Sequence, residues 1–323
     1  MRRHFVSSLA WSLVVLSVGF GFVPSAHAWG CKGHQVVALI AEQHLNARAR
    51  TMVLQILQAA PISPDLRRFC GDSGLDAFTD SSTWADDERT VRPETADWHF
   101  IDIPRGVKKA NLEQYCPPTG CVTEAILAQL TVLRDASASP KARGDALRFL
   151  IHFVGDLHQP LHATTNNDLG GNCVPLAYFG SAPQETDPAR ESYRPNLHGI
   201  WDTDILERFS QQKTTPQIAA ELQDRFKTQL PAWQSKKMDV AAWAWESYQA
   251  AEKTVYGKLP AKIPVETPKP VKACSDADHI SKRMLKLNEV IGDDYQNVAA
   301  PVVEERLAKA GARLAATLNA LWP

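Results

Sequence analysis

Apolar residues return at helical spacing along nearly the whole chain, and strand-like alternation is scarce. Val36, Val37, Ile40, Ala41, His44 and Leu45 share one face of a predicted helix that runs on into Met52, Leu54 and Ile56. Thr123 to Arg134 repeats the pattern with Ile126, Leu127, Leu130 and Leu133. Ser139-Pro140 reads as an N-cap followed by proline at the first helical position. That helix continues through Leu147, Leu150, Ile151, Val154 and Leu157, and Pro160 ends or kinks it. Further helices are expected over Pro216–Thr228, Val240–Val255, Ala277–Ile291 and Pro301–Leu321. Asn166 to Ser192 is rich in Gly, Asn and Pro and reads as a long loop with at most a short hairpin. Leu259 to Cys274 is a second, Pro- and Lys-rich connection. The pattern predicts an all-α fold, with function on the long loops and the helices beside them.

The amino terminus carries an address. Arg2 and Arg3 precede a mostly apolar run from Ala10 to Val23, and Ala26 and Ala28 supply a small-x-small site. These are the parts of a secretory signal peptide, with cleavage expected after Ala28. Residues 29–323 then form the working domain, secreted or periplasmic. Without Arg2 and Arg3, 33 basic residues face 36 acidic ones, a net charge of about −3. No global charge advertises a grip on nucleic acid, so any attraction for phosphate is local. Six cysteines remain, which in an exported chain reads first as disulfides. Cys116 and Cys121 flank a short turn that could close a small loop. Cys31, Cys70, Cys173 and Cys274 allow three pairings, and their spacing does not choose.

Histidine placement is the chemical signal. His152 and Asp156 are spaced i, i+4, and His198 and Asp202 repeat the spacing. On a helix such a pair lies one turn apart on one face, where an imidazole and a carboxylate can converge on a cation. His162 lies beyond Pro160, where the chain can turn a third ligand back. A single such pair is common by chance as a surface or capping contact. Here Phe149, Leu150, Ile151, Phe153, Val154 and Leu157 surround the first pair, and burial is costly unless the groups are paired or bind metal. The zincin motif His-Glu-x-x-His, the Gly-x-Ser-x-Gly elbow, the Walker loop and the dinucleotide fingerprint are all absent.

Trp29-Gly30-x-x-Gly33-His34, Trp84-Ala85-Asp86, Trp98-His99-Phe100, His152-x-x-x-Asp156-x-x-x-x-x-His162 and His198-x-x-x-Asp202 occur in that order. The set resembles the S1/P1 nuclease family of trinuclear-zinc, single-strand-preferring nucleases, to which zinc-dependent phospholipase C is distantly related. The resemblance implies the helical fold of that group. It implies one zinc held by Asp86, His99, His152 and Asp156, and a second by His162, His198 and Asp202. A third would take the amino group and carbonyl of Trp29 with His34, sharing Asp156 as a bridge. A free amine at Trp29 requires the expected cleavage. Three dications against three aspartates leave a centre of about +3, a local attractor for a phosphodiester.

The resemblance also implies that Arg89 neutralises transition-state charge and that Phe100 is a stacking platform for an unpaired base. Asp102, three residues after His99, is expected to orient a zinc ligand or the attacking water, or else to be a surface aspartate. Asn172, in the glycine-rich Asn167–Asn172 segment, is expected to touch substrate or to cap a turn, and the glycines to let the backbone approach the nucleotide. His158 is expected behind a ligand, His44 packed on a helix and His279 at the surface. Fungal members place an aspartate in the small disulfide loop to contact the base, whereas this loop reads Pro117-Pro118-Thr119-Gly120. The implied activity is hydrolysis of single-stranded DNA and RNA to 5′-phosphorylated nucleotides, with 3′-nucleotidase action, by a monomer. A phospholipase-type lipid phosphodiesterase and a non-catalytic zinc-binding protein are the alternatives.

Overall fold

The computed structural model describes residues 29–108, 111–235, 237–277, 285 and 289–323. The leader, His279 and most of the helix expected over Ala277–Ile291 lie outside the described residues. The fold is mainly helical, as expected: α1 (Gly30–Gln43), α2 (Ala47–Ala59), α3 (Ala77–Ser81), α4 (Trp84–Glu88), α5 (Val122–Arg134) and α6 (Pro140–His158) form the first half. In the second half come α7 (Leu197–Gly199), α8 (Ile205–Ser210), α9 (Thr215–Arg225), α10 (Leu230–Ser235), α11 (Val240–Ala250) and α12 (Asp293–Leu321). Among the described residues the only sheet is the hairpin β1 (Gln184–Asp187) and β2 (Ser192–Arg194), antiparallel, with an irregularity between Glu185 and Asp187.

Helix α6 is the axis of the molecule. It is buried on every side from Ala146 to His158 because α1, α2, α5, α11 and α12 all pack on it. Its start is set as expected, with the Ser139 hydroxyl accepting the Ala142 N–H at 3.2 Å. Pro160 stops it and opens a 3₁₀ turn over Pro160–Ala163, which points His162 back toward the axis. No helix among the described residues is long and apolar enough to cross a membrane.

Three differences from the sequence expectation have local causes. The helix expected from Val36 through Ile56 is two helices. Asn46 caps α2 by accepting the Ala49 N–H at 2.7 Å, and Asn319 of α12 holds the backbone on both sides of the break. His44 therefore sits at the end of α1. Helix α9 starts at Thr215, because Thr214 and Gln217 close a capping box. Helix α12 starts at Asp293 and carries Pro301 inside it, so that proline does not mark a helix start. The disulfides are Cys31–Cys70, Cys116–Cys121 and Cys173–Cys274.

Candidate metal centre

Three groups of histidine and aspartate face one another in the interior: His34, His152 and Asp156; Asp86, His99 and His152; and His162, His198 and Asp202. Every member is at most 5 % exposed. Asp156 and His152 come from one face of α6, His34 from the first turns of α1 and Asp86 from α4. His99 closes the 3₁₀ turn Pro93–His99, and His198 and Asp202 straddle the junction of α7 with a π-helical turn over Ile200–Asp204. Such wide turns recur at functional sites. A fourth group, Cys116, Cys121 and Glu124, is discounted because its sulfurs form a disulfide.

Asp156 is the hub. Its Oδ2 lies 2.9 Å from His99 Nδ1 and 3.2 Å from His152 Nε2, while its Oδ1 faces His34 Nε2 at 3.3 Å. One carboxylate thus presents its two oxygens to two sets of ligands. Asp86 Oδ1 stands 3.8 Å from His99 Nδ1 and 3.9 Å from His152 Nε2. Two ligands of a tetrahedral zinc, each about 2.0–2.2 Å from the ion, sit roughly 3.3 Å apart, so these separations suit a shared cation.

The tautomers point the same way. Nδ1 of His152, His162 and His198 donates to the carbonyls of Ser82, His99 and Gly170 at 2.7, 2.8 and 2.7 Å. A carbonyl only accepts, so each Nδ1 carries a proton and Nε2 is the atom turned inward, with a lone pair to offer whenever the ring is neutral. The Nε2 atoms of His162 and His198 face each other at 3.2 Å, an arrangement that repels unless a cation lies between them. His34 Nδ1 and His99 Nε2 are buried without a hydrogen-bond partner among the described residues.

Electrostatics follow from burial first. Loss of water lowers the pKa of His34, His99 and His162, that of His99 to about 4. Burial acts on His152 and His198 in the same sense, but Asp156 and Asp86 hold His152 up at about 9, and Asp202 raises His198. Asp156 itself lies well below the usual carboxylate range, because the three surrounding imidazoles outweigh its burial. The cluster demands positive charge.

Two glycines shape the cluster. A Cβ on Gly155 would meet His34 Nδ1 at 2.9 Å, so only glycine lets α1 bring His34 onto α6. A Cβ on Gly170, at φ +59°, would lie 2.5 Å from the Leu161 carbonyl oxygen. The glycine loop was expected to clear space for a nucleotide. Here Gly170 clears space for His198 and the turn before His162.

Trp29 is fully buried, and its indole N–H donates to the Gly155 carbonyl at 2.8 Å. Its carbonyl accepts the Gly33 N–H at 3.0 Å, which leaves a second lone pair. Arg89 borders the first group, 3.2 Å from Asp86 Oδ1. Phe100 is half-buried beside His99. Asn172 donates to the Leu169 carbonyl at 2.9 Å, capping its own turn, and also lines a cleft of about 500 Å³ with Trp29, Lys32, Arg194 and Asp202. Asp102 stands outside all three groups, and no hydrogen bond joins it to His99 among the described residues. Although solvent reaches it, the surrounding protein keeps enough water away to push its carboxyl up to about 7, helped by Asp168 and Asp97.

Gln159 was not singled out from sequence. Its amide N–H donates to Asp202 Oδ1 at 2.6 Å and its oxygen accepts the Leu161 N–H at 2.5 Å, so it aims a carboxylate and fixes the turn to His162. No periodicity marks it; only its place between His158 and Pro160 hints at a buried amide. His158, expected behind a ligand, points elsewhere. It donates to the Val154 carbonyl at 2.7 Å and its other nitrogen meets Arg313 at 3.0 Å.

The S1/P1 Nuclease family matches residues 29–323. The chain is 28 % identical to Endonuclease 3 of Arabidopsis thaliana, over 97 % of each chain. It is 28 % identical to Nuclease S1 of Aspergillus oryzae over 91 % of each, and 31 % identical to Nuclease P1 of Penicillium citrinum over 54 % of this chain and 57 % of that one. With the match spanning every described element and the histidines and aspartates gathered as above, the chain belongs to the S1/P1 nuclease family, whose members are zinc-dependent enzymes that hydrolyse nucleic acids.

Proposed function

We propose that this nuclease uses three zinc ions to cut single-stranded DNA and RNA to 5′-phosphorylated nucleotides, and that it also removes phosphate from 3′-nucleotides. The observation that carries the reading is Asp156, whose two oxygens face His34 on one side and His99 and His152 on the other. Asp86, His99, His152 and Asp156 would hold one zinc, and His162, His198 and Asp202 a second. His34, Asp156 and the backbone of Trp29 would hold the third. Zinc bound there lowers the pKa of water toward neutrality and polarises a phosphoryl oxygen.

The protein supplies the rest. Arg89 carries positive charge beside Asp86, available to the phosphate in the transition state. Phe100 offers a face on which an unpaired base stacks, which favours single strands. Asn172 contacts the nucleotide from the cleft, and Asp102 orients the incoming water. The chain works as a monomer. It is exported and cleaved after Ala28, which the start of the family match at residue 29 and three disulfides support.

Product analysis tests the reading. Processed, zinc-loaded protein is offered single-stranded DNA, RNA and phosphatidylcholine, each with a chelator control. Chelator-sensitive release of 5′-mononucleotides is expected. Diacylglycerol without nucleotides would reassign the activity to lipid. A form retaining residues before Trp29 is expected to bind two zincs rather than three, because a peptide nitrogen lacks the lone pair of an amine; three zincs and full activity in that form would overturn the third site.

A further inference from the structure

The Pro- and Lys-rich connection after α11 is not accounted for by the metal centre. Over residues 258–276 it carries Lys258, Lys262, Lys269 and Lys272 against Glu266 and Asp276, in a chain of net charge −1. Between 262 and 271 it forms neither helix nor strand. Pro260, Pro264, Pro268 and Pro270 remove backbone donors and restrict φ, so the segment is a stiff strap rather than a loose loop.

The strap is fastened to the two segments that frame the centre. Asn166 donates to the Pro264 carbonyl at 2.9 Å and accepts the Glu266 N–H at 3.0 Å. Asn167 donates to the Thr267 carbonyl and accepts the Lys269 N–H, both at 2.9 Å. Four residues after Asn166, Gly170 holds His198. On the other side Arg105 donates to the Ile263 carbonyl at 3.2 Å. The segment leading to Arg105 carries Phe100 and Asp102, and pairs through Ile101 with the carbonyl of His162 at 2.8 Å. The strap therefore lies on the rim shared by the proposed base platform and the His162–His198–Asp202 group.

Its lysines outnumber its acids. Glu266 turns inward to accept from Asn167 at 2.9 Å, and Asp276 turns onto the backbone N–H groups of Lys272 and Ala273 at 3.0 and 2.9 Å. Lys262, Lys269 and Lys272 are exposed. Asp276 stays exposed beside Lys269 and Lys272, so the strap presents three lysines and one carboxylate to solvent, a net positive face on a stiff segment beside the site.

We propose that Lys262, Lys269 and Lys272 form a track for the phosphodiester backbone of a single strand, beyond the nucleotides at the metal centre. The inference rests on the nuclease reading and adds to it a reason to act on polymers. Binding the backbone through three lysines releases counterions, and each phosphate contact to a single strand contributes about −0.7 to the slope of log affinity against log salt.

The test is the triple variant Lys262→Gln/Lys269→Gln/Lys272→Gln in the processed, zinc-loaded enzyme. A control triple, Lys141→Gln/Lys213→Gln/Lys227→Gln, removes the same charge from exposed lysines on other elements. Substrates are a 40-nucleotide single strand and a dinucleotide, assayed across a salt series. The strap variant is expected to raise KM for the long strand about tenfold at low salt. Its log–log salt slope should be shallower by about 2, the sum of three contacts, with dinucleotide hydrolysis held. Lys→Arg at the same positions should restore the long-strand KM. Equal effects of the two triples would reduce the track to net charge, and an unchanged salt slope in the strap variant would overturn it. Failure of the unsubstituted enzyme to cleave either substrate would be a different result, against the nuclease reading itself.

Discussion

Two of the places where helix α6 buries ionisable groups, its middle and its C-terminal end, meet the cost of burial in different ways. At its middle, His152 and Asp156 join His34, His99 and Asp86, where imidazole nitrogens and carboxylate oxygens converge on one another and Arg89 reaches only the edge, at Asp86. At its end, His158 accepts from Arg313, and Arg306 donates to the His158 carbonyl at 2.9 Å. Arg306 and Arg313 share Glu246 at 3.3 and 2.8 Å, and Arg306 also reaches Ser247. Apart from Arg313 Nε, donors meet acceptors here, so the second cluster is largely satisfied by the protein's own groups. Burial, then Arg306 and Arg313, hold His158 far below its usual pKa, hence neutral and able to accept. A buried histidine thus marks a ligand site when its inward nitrogens face other acceptors, and a structural site when they face donors.

That contrast can be broken most forcibly at Asp156. Asp156→Asn should strip two zincs and lower kcat/KM by at least about 10³-fold, whereas His198→Ala should lose one; metal analysis of the two variants separates the cases, and equal loss would remove Asp156 as the bridge. Gln159→Leu probes the next layer. Loss of its bond to Asp202 should weaken the second zinc about 10–100-fold while the other two stay, read by competition with a chelating dye.

Effects on the structural cluster should appear in stability alone. Glu246→Gln leaves two arginines short of their counter-charge, at a cost of about 2 kcal/mol. That is less than the 3–5 kcal/mol of a fully buried pair because Glu246 remains one-third exposed. Urea denaturation should show the loss with zinc content and kcat intact. The smallest effect is on acid stability. Although burial raises the pKa of Glu246, Arg313, Lys309 and Arg306 together lower it to about 2 from 4.5. Its contribution is therefore full above about pH 4.5 and is lost as pH falls toward 2. The Gln variant should show a shallower decline over that window than the unsubstituted protein, and parallel curves would count against the pairing.

The disulfides divide the centre in a way that spacing alone did not disclose. Cys31–Cys70 fastens the segment between Trp29 and His34. Cys173–Cys274 closes the loop whose Gly170 holds His198, and Cys116–Cys121 lies beside Phe100, whose carbonyl accepts the Val122 N–H at 3.0 Å. Of the four cysteines left open by sequence, pairing was decided by which loops pack together.

The amino-acid sequence by itself determined the helical class, the buried run of α6 with its Ser139 cap, and the one-turn spacing of His152 with Asp156. These follow from the period of the helix and from side-chain chemistry, which act over a few residues. The ordered motifs likewise identified the histidines and aspartates now found together. Tertiary structure alone decided that Asp156 faces two ways, that Gln159 aims Asp202, that His158 joins two arginines, and that the lysine strap lies on the rim. Each of these joins segments far apart in the chain, and such contacts depend on how helices pack, which local pattern does not encode.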